Sequence, residues 1–275
     1  MLEALNGETL LVPILGDPIA QVKSPAGVTQ ALEALGHNAV CVPMHVAPTD
    51  IAACFAALRS VRNVAGIIVT IPHKLAAFEA CDEVTPRSAF LGSVNMMIRT
   101  ADGRLVGDMS DGIGHVAAAC ARGCVYEGRR ALLIGAGGAG TAIAHAAASA
   151  GLATLSIFDA DAARATEVAG RLADAGFKAR AVSAADVVTE RYDIVMNATP
   201  LGMRPADPLP YARERLAAGM FVSDVITKPD PSPLIVAARA AGCGTSTGVE
   251  MFGEVRDLII AYLRTAMDDA KEQHA

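Results

Sequence analysis

This 275-residue chain has no basic cluster, and its formal net charge is −6. Neither nucleic acid nor an anionic membrane surface is therefore expected as a partner. No apolar run approaches the roughly 20 residues that a membrane span needs. The opening stretch MLEALNGETLLVPILGD carries acidic residues early and lacks a basic n-region, so no signal peptide is expected and a cytoplasmic protein is. The six cysteines are scattered, with no C-x-x-C pair. Without a secretory signal they read as small buried thiols rather than a disulfide framework. No H-E-x-x-H and no clustered Cys/His spacing is present, so no metal is expected. What these absences leave is an α/β protein long enough for two domains or one large one.

The patterning supports that class. LLVPILGD, NAVCVPMHV and VAGIIVT read as strands, and PAGVTQALEALG and PTDIAACFAALRS between them have helical spacing, with Pro25 and Pro48 suited to a first helical turn. A βαβαβ start implies a mainly parallel sheet with helices on its faces. SVNMMIRT and RLVGDMS, joined through Asp102-Gly103, read as a hairpin. DGIGHVAAACARG reads as a connecting helix, after which a second alternation begins with strands RALLIG, ATLSIFD, KARAV, YDIVMNA and MFVSDVI. EMFGEVRDLIIAYLRTAM closes the chain as a long amphipathic helix.

The second winding opens on LLIGAGGAGTAIAHAAASAG, in which Gly135, Gly137 and Gly140 form a G-x-G-x-x-G pattern after an apolar strand and before an alanine-rich helix. Asp159 ends the next strand at roughly the 20-residue offset of a dinucleotide fingerprint. Each part has a mechanical reason. Gly135 permits the tight turn, Gly137 lets the backbone approach a pyrophosphate, and Gly140 allows close helix–strand packing, while the helix N-terminus offers amides to phosphate. Residues Gly135, Ala136, Gly137, Gly138, Ala139 and Gly140 are thus the expected cofactor loop. Asp159 could accept from the adenosine 2′- and 3′-hydroxyls and would repel a 2′-phosphate, and Arg164 is the nearby cation. NAD is expected over NADP, although NADP remains open. A plain glycine turn and a solvated strand-end Asp are the bland alternatives.

In the first winding, VTIPHK ends a buried strand with Lys74. A lone lysine there is ordinarily a solvated residue opening the next helix, KLAAFEAC. Asp111 at the head of DGIGHVAAA is a sound helix N-cap in its own right. Histidine is the usual proton shuttle, which brings in His73 as well.

The stretches GDPIAQVKSP, VTIPHK, GSVNM, GDMSDGIG, GAGGAG, NATPLGM, DVITKP and TGVEMF, in this order and across nearly the whole chain, resemble the shikimate/quinate dehydrogenase family. The resemblance implies a substrate domain over residues 1–110 completed by 246–275. It also implies a Rossmann nucleotide-binding domain over 111–245, with the final helix returning to the first domain. The activity implied is NAD(P)-dependent oxidation of a ring hydroxyl on a cyclic hydroxy acid; separately, a monomer or homodimer is expected. It places the catalytic lysine at Lys74 and its aspartate at Asp111, leaving His73 outside catalysis. Ser24, Thr70 and Asn95 are implied substrate contacts. Thr199 and Pro200 would approach the cofactor through backbone, and Val225 and Gly248 match positions that flank the nicotinamide.

The departures fall on substrate contacts. Val22 replaces one of two serines, Ile68 an asparagine, Thr227 a tyrosine and Val255 a glutamine, while Met109-Ser110 stands where Asn-Thr is usual. Polar groups are lost around one ring and the proton-transfer pair is kept. That predicts a divergent member with altered substrate choice, for which Gln21, Lys23, Thr227 and Lys228 are candidate replacement contacts. An authentic shikimate, quinate or aminoshikimate dehydrogenase is the alternative. A non-catalytic dinucleotide sensor is the alternative from another class.

Overall fold

The computed structural model describes residues 5–20, 22 and 24–272, so Gln21 and Lys23 lie outside the described residues. The chain divides into two compact units, Met1–Ser110 with Arg256–Ala275, and Asp111–Val255.

The first unit carries β1 (Leu10–Gly16), α1 (Ser24–Ala34), β2 (Ala39–His45), α2 (Ile51–Ser60), β3 (Gly66–Val69), α3 (Lys74–Ala80), β4 (Glu83–Val84), α4 (Pro86–Leu91), β5 (Met96–Arg99) and β6 (Leu105–Asp108). Its sheet runs β2-β1-β3-β5-β6-β4. The β1–β2 and β1–β3 pairs are parallel, and β5 pairs antiparallel with both β3 and β6, the second as the hairpin that the D-G turn predicts. β1 and β3 sit inside the sheet, with Val12, Ile14, Leu15 and Ile67 to Val69 all buried, as strands covered on both faces should be. Leu15, Phe55, Ile67, Val69, Met97 and Leu105 share one core cluster. The last helix, α10 (Gly248–Glu272), contributes its residues from Arg256 onward to this unit. There Tyr262 Oη donates to the Val106 carbonyl at 3.0 Å. Pro48 departs from expectation. It lies in a turn closed by the Asp50 N–H to the Ala47 carbonyl at 3.0 Å, and α2 starts only at Ile51. Proline's fixed φ suits the second position of that turn as well as a helix start.

The second unit carries α5 (Asp111–Ala121), β7 (Arg130–Ile134), α6 (Gly138–Ser149), β8 (Thr154–Phe158), α7 (Ala162–Asp174), β9 (Ala179–Ala181), α8 (Ala184–Thr189), β10 (Ile194–Asn197), β11 (Phe221–Asp224), α9 (Pro233–Ala240) and β12 (Gly244–Ser246). All six strands are parallel, in the order β12-β11-β10-β7-β8-β9. That is the doubly wound Rossmann order, whose direction reverses between β7 and β10, where such sheets bind ligands at their carboxyl ends. α7 turns Ala165, Val168, Ala169 and Leu172 inward, the spacing of one helical face. Leu132, Val195, Val222, Leu234 and Ile235 fill the core beside the sheet. Among the described residues, no helix is long and apolar enough to cross a membrane.

Candidate active site

At the switch point of the second unit, β7 delivers the glycine turn. Gly135 has φ +102°, and a Cβ there would stand 2.8 Å from Thr199 Cγ2 and 2.9 Å from the Ala198 carbonyl carbon. Both the left-handed backbone and the close approach therefore require glycine. Gly140 allows α6 to pass over the turn, since its Cβ would come within 2.0 Å of the Gly135 carbonyl oxygen. Gly137 and Gly138 are exposed, and no atom lies within 4 Å of where their Cβ atoms would be. This bare backbone begins the twelve-residue α6. Beside it an open groove is lined by Ala136, Gly137, Gly138, Thr141, Arg164 and Arg171, among others. A tight turn, open glycines and free helix amides are what a dinucleotide's pyrophosphate requires, so the residues present fit that group.

Asp159 follows β8 and is half-buried. Its Oδ2 accepts from the Ala136 N–H at 2.7 Å and its Oδ1 from the Asp161 N–H at 2.8 Å. The carboxylate thus fastens the glycine turn, a duty that the sequence reading did not foresee. An ionised carboxylate has about four acceptor sites, so two remain for ribose hydroxyls. Arg164 pairs with Asp161 at 3.3 Å. Arg171 lines the same groove, which corrects the reading of Arg164 as the nearby cation.

Thr199 and Pro200 follow β10, beside the glycine turn. Asn197 is wholly buried, and its Oδ1 accepts from the Thr199 N–H at 3.1 Å and hydroxyl at 2.7 Å. Its Nδ2 donates to Asp224 Oδ1 at 3.0 Å. Asp224, buried at the end of β11, also accepts from the Ile226 N–H at 3.0 Å and the Ser232 hydroxyl at 2.6 Å. Burial pushes its pKa up against these hydrogen bonds, which hold it down. Val225 comes next, half-buried, and a Cβ on the buried Gly248 would lie 2.4 Å from its carbonyl oxygen. Thr227 and Lys228 are exposed. His115 Nε2 meets Ser223 Oγ at 2.8 Å, and burial lowers its pKa to about 4. None of Asn197, Asp224 and His115 was singled out from sequence. The available signal was a polar residue closing each apolar strand, in YDIVMN and MFVSD.

The first unit gathers its candidates at the carboxyl ends of β1 and β3. The Thr70 N–H donates to the Leu15 carbonyl at 2.9 Å, and its own carbonyl accepts from the His73 N–H at 3.0 Å. That turn leads directly into α3, whose first residue is the half-buried Lys74. His73 is buried with Nε2 2.8 Å from the Val46 carbonyl oxygen. A carbonyl only accepts, so this nitrogen carries the proton and donates it. Ser24 is half-buried as the first residue of α1, and Val22 is half-buried just before it. Asn95 is 4% exposed. It accepts from the Ser110 N–H at 2.9 Å and donates to Ser110 Oγ at 3.0 Å. The amide expected to face substrate is thus bonded to the residue preceding Asp111.

Asp108 holds the same strand end. Its buried carboxylate accepts from Arg87 Nε at 2.7 Å and through a second, Nη2 contact, from the Thr85 hydroxyl at 2.5 Å and from the Met109 N–H at 2.7 Å. This pair joins residues 21 apart in sequence. In the second unit Asp111 is half-buried as the first residue of α5, not the residue before the helix, and its charge suits the positive end of the helix. Ile68 is 3% exposed inside β3, and Met109 2%. Val255 packs on α5, with Cγ2 2.4 Å from where a Gly114 Cβ would be.

Comparison with known proteins gives a consistent result. Residues 14–97 match the shikimate dehydrogenase substrate binding domain, and residues 118–202 match shikimate/quinate 5-dehydrogenase. A shikimate dehydrogenase (NADP(+)) of Acidiphilium cryptum is 37% identical over 249 residues, 90% of this chain and 87% of the relative. Shikimate 5-dehydrogenase from Listeria monocytogenes, solved with shikimate and NAD, is similar with a TM-score of 0.87 at 27% identity, over 96% of this chain and 98% of that one. Quinate dehydrogenase from Corynebacterium glutamicum, solved with NAD, is similar with a TM-score of 0.84 at 25% identity, over 95% and 99%. The chain belongs to the shikimate/quinate dehydrogenase family of NAD(P)-dependent oxidoreductases.

Proposed function

We propose that this chain oxidises a ring hydroxyl of a cyclic hydroxy acid related to shikimate or quinate, that it prefers NAD, and that shikimate itself is a poor substrate. The first unit binds the acid and the second the dinucleotide. The nicotinamide, when bound, supplies the hydride acceptor for oxidation and the donor for reduction. The chain's own residues handle the rest. Lys74 takes the hydroxyl proton in oxidation and returns it to the carbonyl oxygen in reduction, and Asp111 is the carboxylate that the family motif assigns to the same step. Ser24, Thr70 and Asn95 hold the ring substituents.

The observation that carries the altered specificity is Ile68, enclosed in β3 at 3% exposure where the family motif has an asparagine. Val22, Met109 and Val255 are apolar at three further motif positions. Each hydrogen bond lost to a charged group costs on the order of 1.5–3 kcal/mol, so two or three together weaken shikimate binding by several powers of ten. The preference for NAD rests on Asp159, whose charge opposes a 2′-phosphate. Arg164 and Arg171 on the groove wall, and the NADP(+) in the A. cryptum relative's name, support NADP as the second reading. NAD is chosen because Arg164 is already engaged by Asp161.

A panel of cyclic hydroxy acids followed by NADH and NADPH absorbance tests the proposal. Efficient shikimate turnover, with KM in the ordinary range of about 1 μM to 1 mM, would show an authentic shikimate dehydrogenase instead. The relatives' names favour that outcome.

A further inference from the structure

β10 and β11 are parallel neighbours in a register that sets Asn197 directly beside Asp224. Both side chains are closed off from solvent, at 0% and 1% exposure. An ionised carboxylate only accepts, so it dictates which end of the Asn197 amide faces it. With Nδ2 donating to Asp224 at 3.0 Å, Oδ1 must point the other way. There it receives both the N–H and the hydroxyl of Thr199, and that hydroxyl in turn accepts from the Leu201 N–H at 3.2 Å. The Thr199 Cγ2 stands 2.8 Å from where a Gly135 Cβ would be, so the glycine turn rests on this residue. The same carboxylate oxygen, Oδ1, also accepts from the Ile226 N–H, in the loop whose Val225 and Ile226 carbonyl oxygens each lie 2.4 Å from where a Gly248 Cβ would be. One buried charge therefore orients the turns after β10 and β11, and through Thr199 supports the turn after β7.

We propose that Asp224 is a positioning residue for the nicotinamide cofactor, acting through Asn197 and Thr199 to hold the floor on which the glycine turn sits. This rests on the dinucleotide reading of the second unit. Asp224 is 1% exposed, so its effect passes through the orientation of one amide. A carboxylate buried only for the fold would set stability and leave affinity alone.

NADH and NADPH binding, read by cofactor fluorescence on the full chain, separates the two. Asp224→Leu should weaken binding of the preferred cofactor by roughly tenfold or more, the loss of a charge-assisted bond. Asp224→Asn still offers Asn197 an acceptor and should rescue affinity to within about threefold. Thr199→Val lies on a half-buried turn outside the core. It should weaken binding roughly tenfold and should not add fully to Asp224→Leu, because the two residues share one network. Should Asp224→Leu fail to fold, Thr199→Val and Asn197→Ser decide the matter alone. Affinity unchanged in Thr199→Val, or lowered melting temperature with unchanged affinity in the Asp224 variants, would overturn the inference. Wild-type protein that binds neither dinucleotide would remove the nucleotide-binding reading itself, and the inference with it.

Discussion

The proposed preference for NAD makes Asp159 the position where cofactor choice should be switchable, and the bonds its carboxylate already makes determine which substitutions will do it. Two of its acceptor sites are taken by the Ala136 and Asp161 amides. The other two are the acceptor sites that the proposed NAD reading assigns to ribose hydroxyls. Asp159→Ala with Ala160→Arg removes the charge that opposes a 2′-phosphate, but it also releases the Ala136 amide and with it the glycine turn. Charge-assisted hydrogen bonds are worth about 1.5–3 kcal/mol, and the lower figure applies to a half-buried group, so losing the bonds to both amides should lower kcat/KM for NAD on the order of 10²-fold. NADP should gain little, because both cofactors need the turn.

Asp159→Asn with Ala160→Arg is the better switch. The asparagine oxygen keeps an acceptor for one of the two amides while the charge changes from negative to positive. At about 4 Å a charge pair is worth roughly 1 kcal/mol in water and 4 kcal/mol near a protein surface. Reversing one partner's sign at an exposed site should therefore move the NADP/NAD ratio by on the order of 10²-fold. Asp161→Ser keeps a cap for α7 and frees Arg164, so it should add a few-fold in the same direction. The assays are kcat/KM with each dinucleotide on a verified substrate and dissociation constants for NADH and NADPH. Wild-type enzyme that used NADP as well as or better than NAD would refute the reasoning. So would an Asp159→Ala variant that retained full NAD affinity.

Three further outcomes follow from other sites. Lys74→Ala should lower kcat by roughly 10²–10⁴-fold, the usual worth of general acid–base assistance, with NADH affinity little changed; near-normal kcat would make Lys74 an ordinary surface lysine. His115 is held near pKa 4 by burial against an ordinary 6.5, so the unfolded chain binds its proton first as pH falls. Stability should decline from about pH 6.5 and level off below about pH 4, by on the order of 3 kcal/mol, and urea titrations should show this slope flattened in His115→Gln. Arg87→Met strands the Asp108 carboxylate, which is 3% exposed beside an arginine 34% exposed. Breaking a fully buried pair costs about 3–5 kcal/mol, less for a part-exposed partner, so thermal melting should fall by roughly 5–10 °C; an unchanged melting point would show that Thr85 and the Met109 amide suffice.

Much of this architecture is legible in the sequence because it follows from local periodicity. The apolar runs around Ile14, Ile67, Leu132 and Val195 are continuous, as strands covered on both faces must be, and the helices between them repeat at helical spacing. The elements that sequence reading passes over are those too short for periodicity to show. α4, α8 and α9 span six, six and eight residues. Their starts were nevertheless written in Thr85-Pro86, in Ser183 with Asp186, and in Ser232-Pro233, where each hydroxyl accepts from a backbone N–H three residues on. Capping chemistry marks a short helix more reliably than its apolar pattern does.

The site divides along the same line. The glycine turn is readable because its three glycines, the strand before and the helix after are contiguous. The pairs that orient the candidate residues are not contiguous. Arg87 reaches Asp108, Asn95 meets Ser110 and Asn197 meets Asp224 across 21, 15 and 27 residues, and no local pattern carries that information. Strand order does carry some of it. Once MFVSD is placed as the parallel neighbour of YDIVMN, equal strand lengths bring the two terminal polar residues side by side at a sheet's carboxyl edge, buried on both faces. A carboxylate enclosed there requires donors, and the asparagine beside it in the register is one that can serve. The Asp224–Asn197 bond thus follows from topology and polar satisfaction together, one step beyond what periodicity alone supplies.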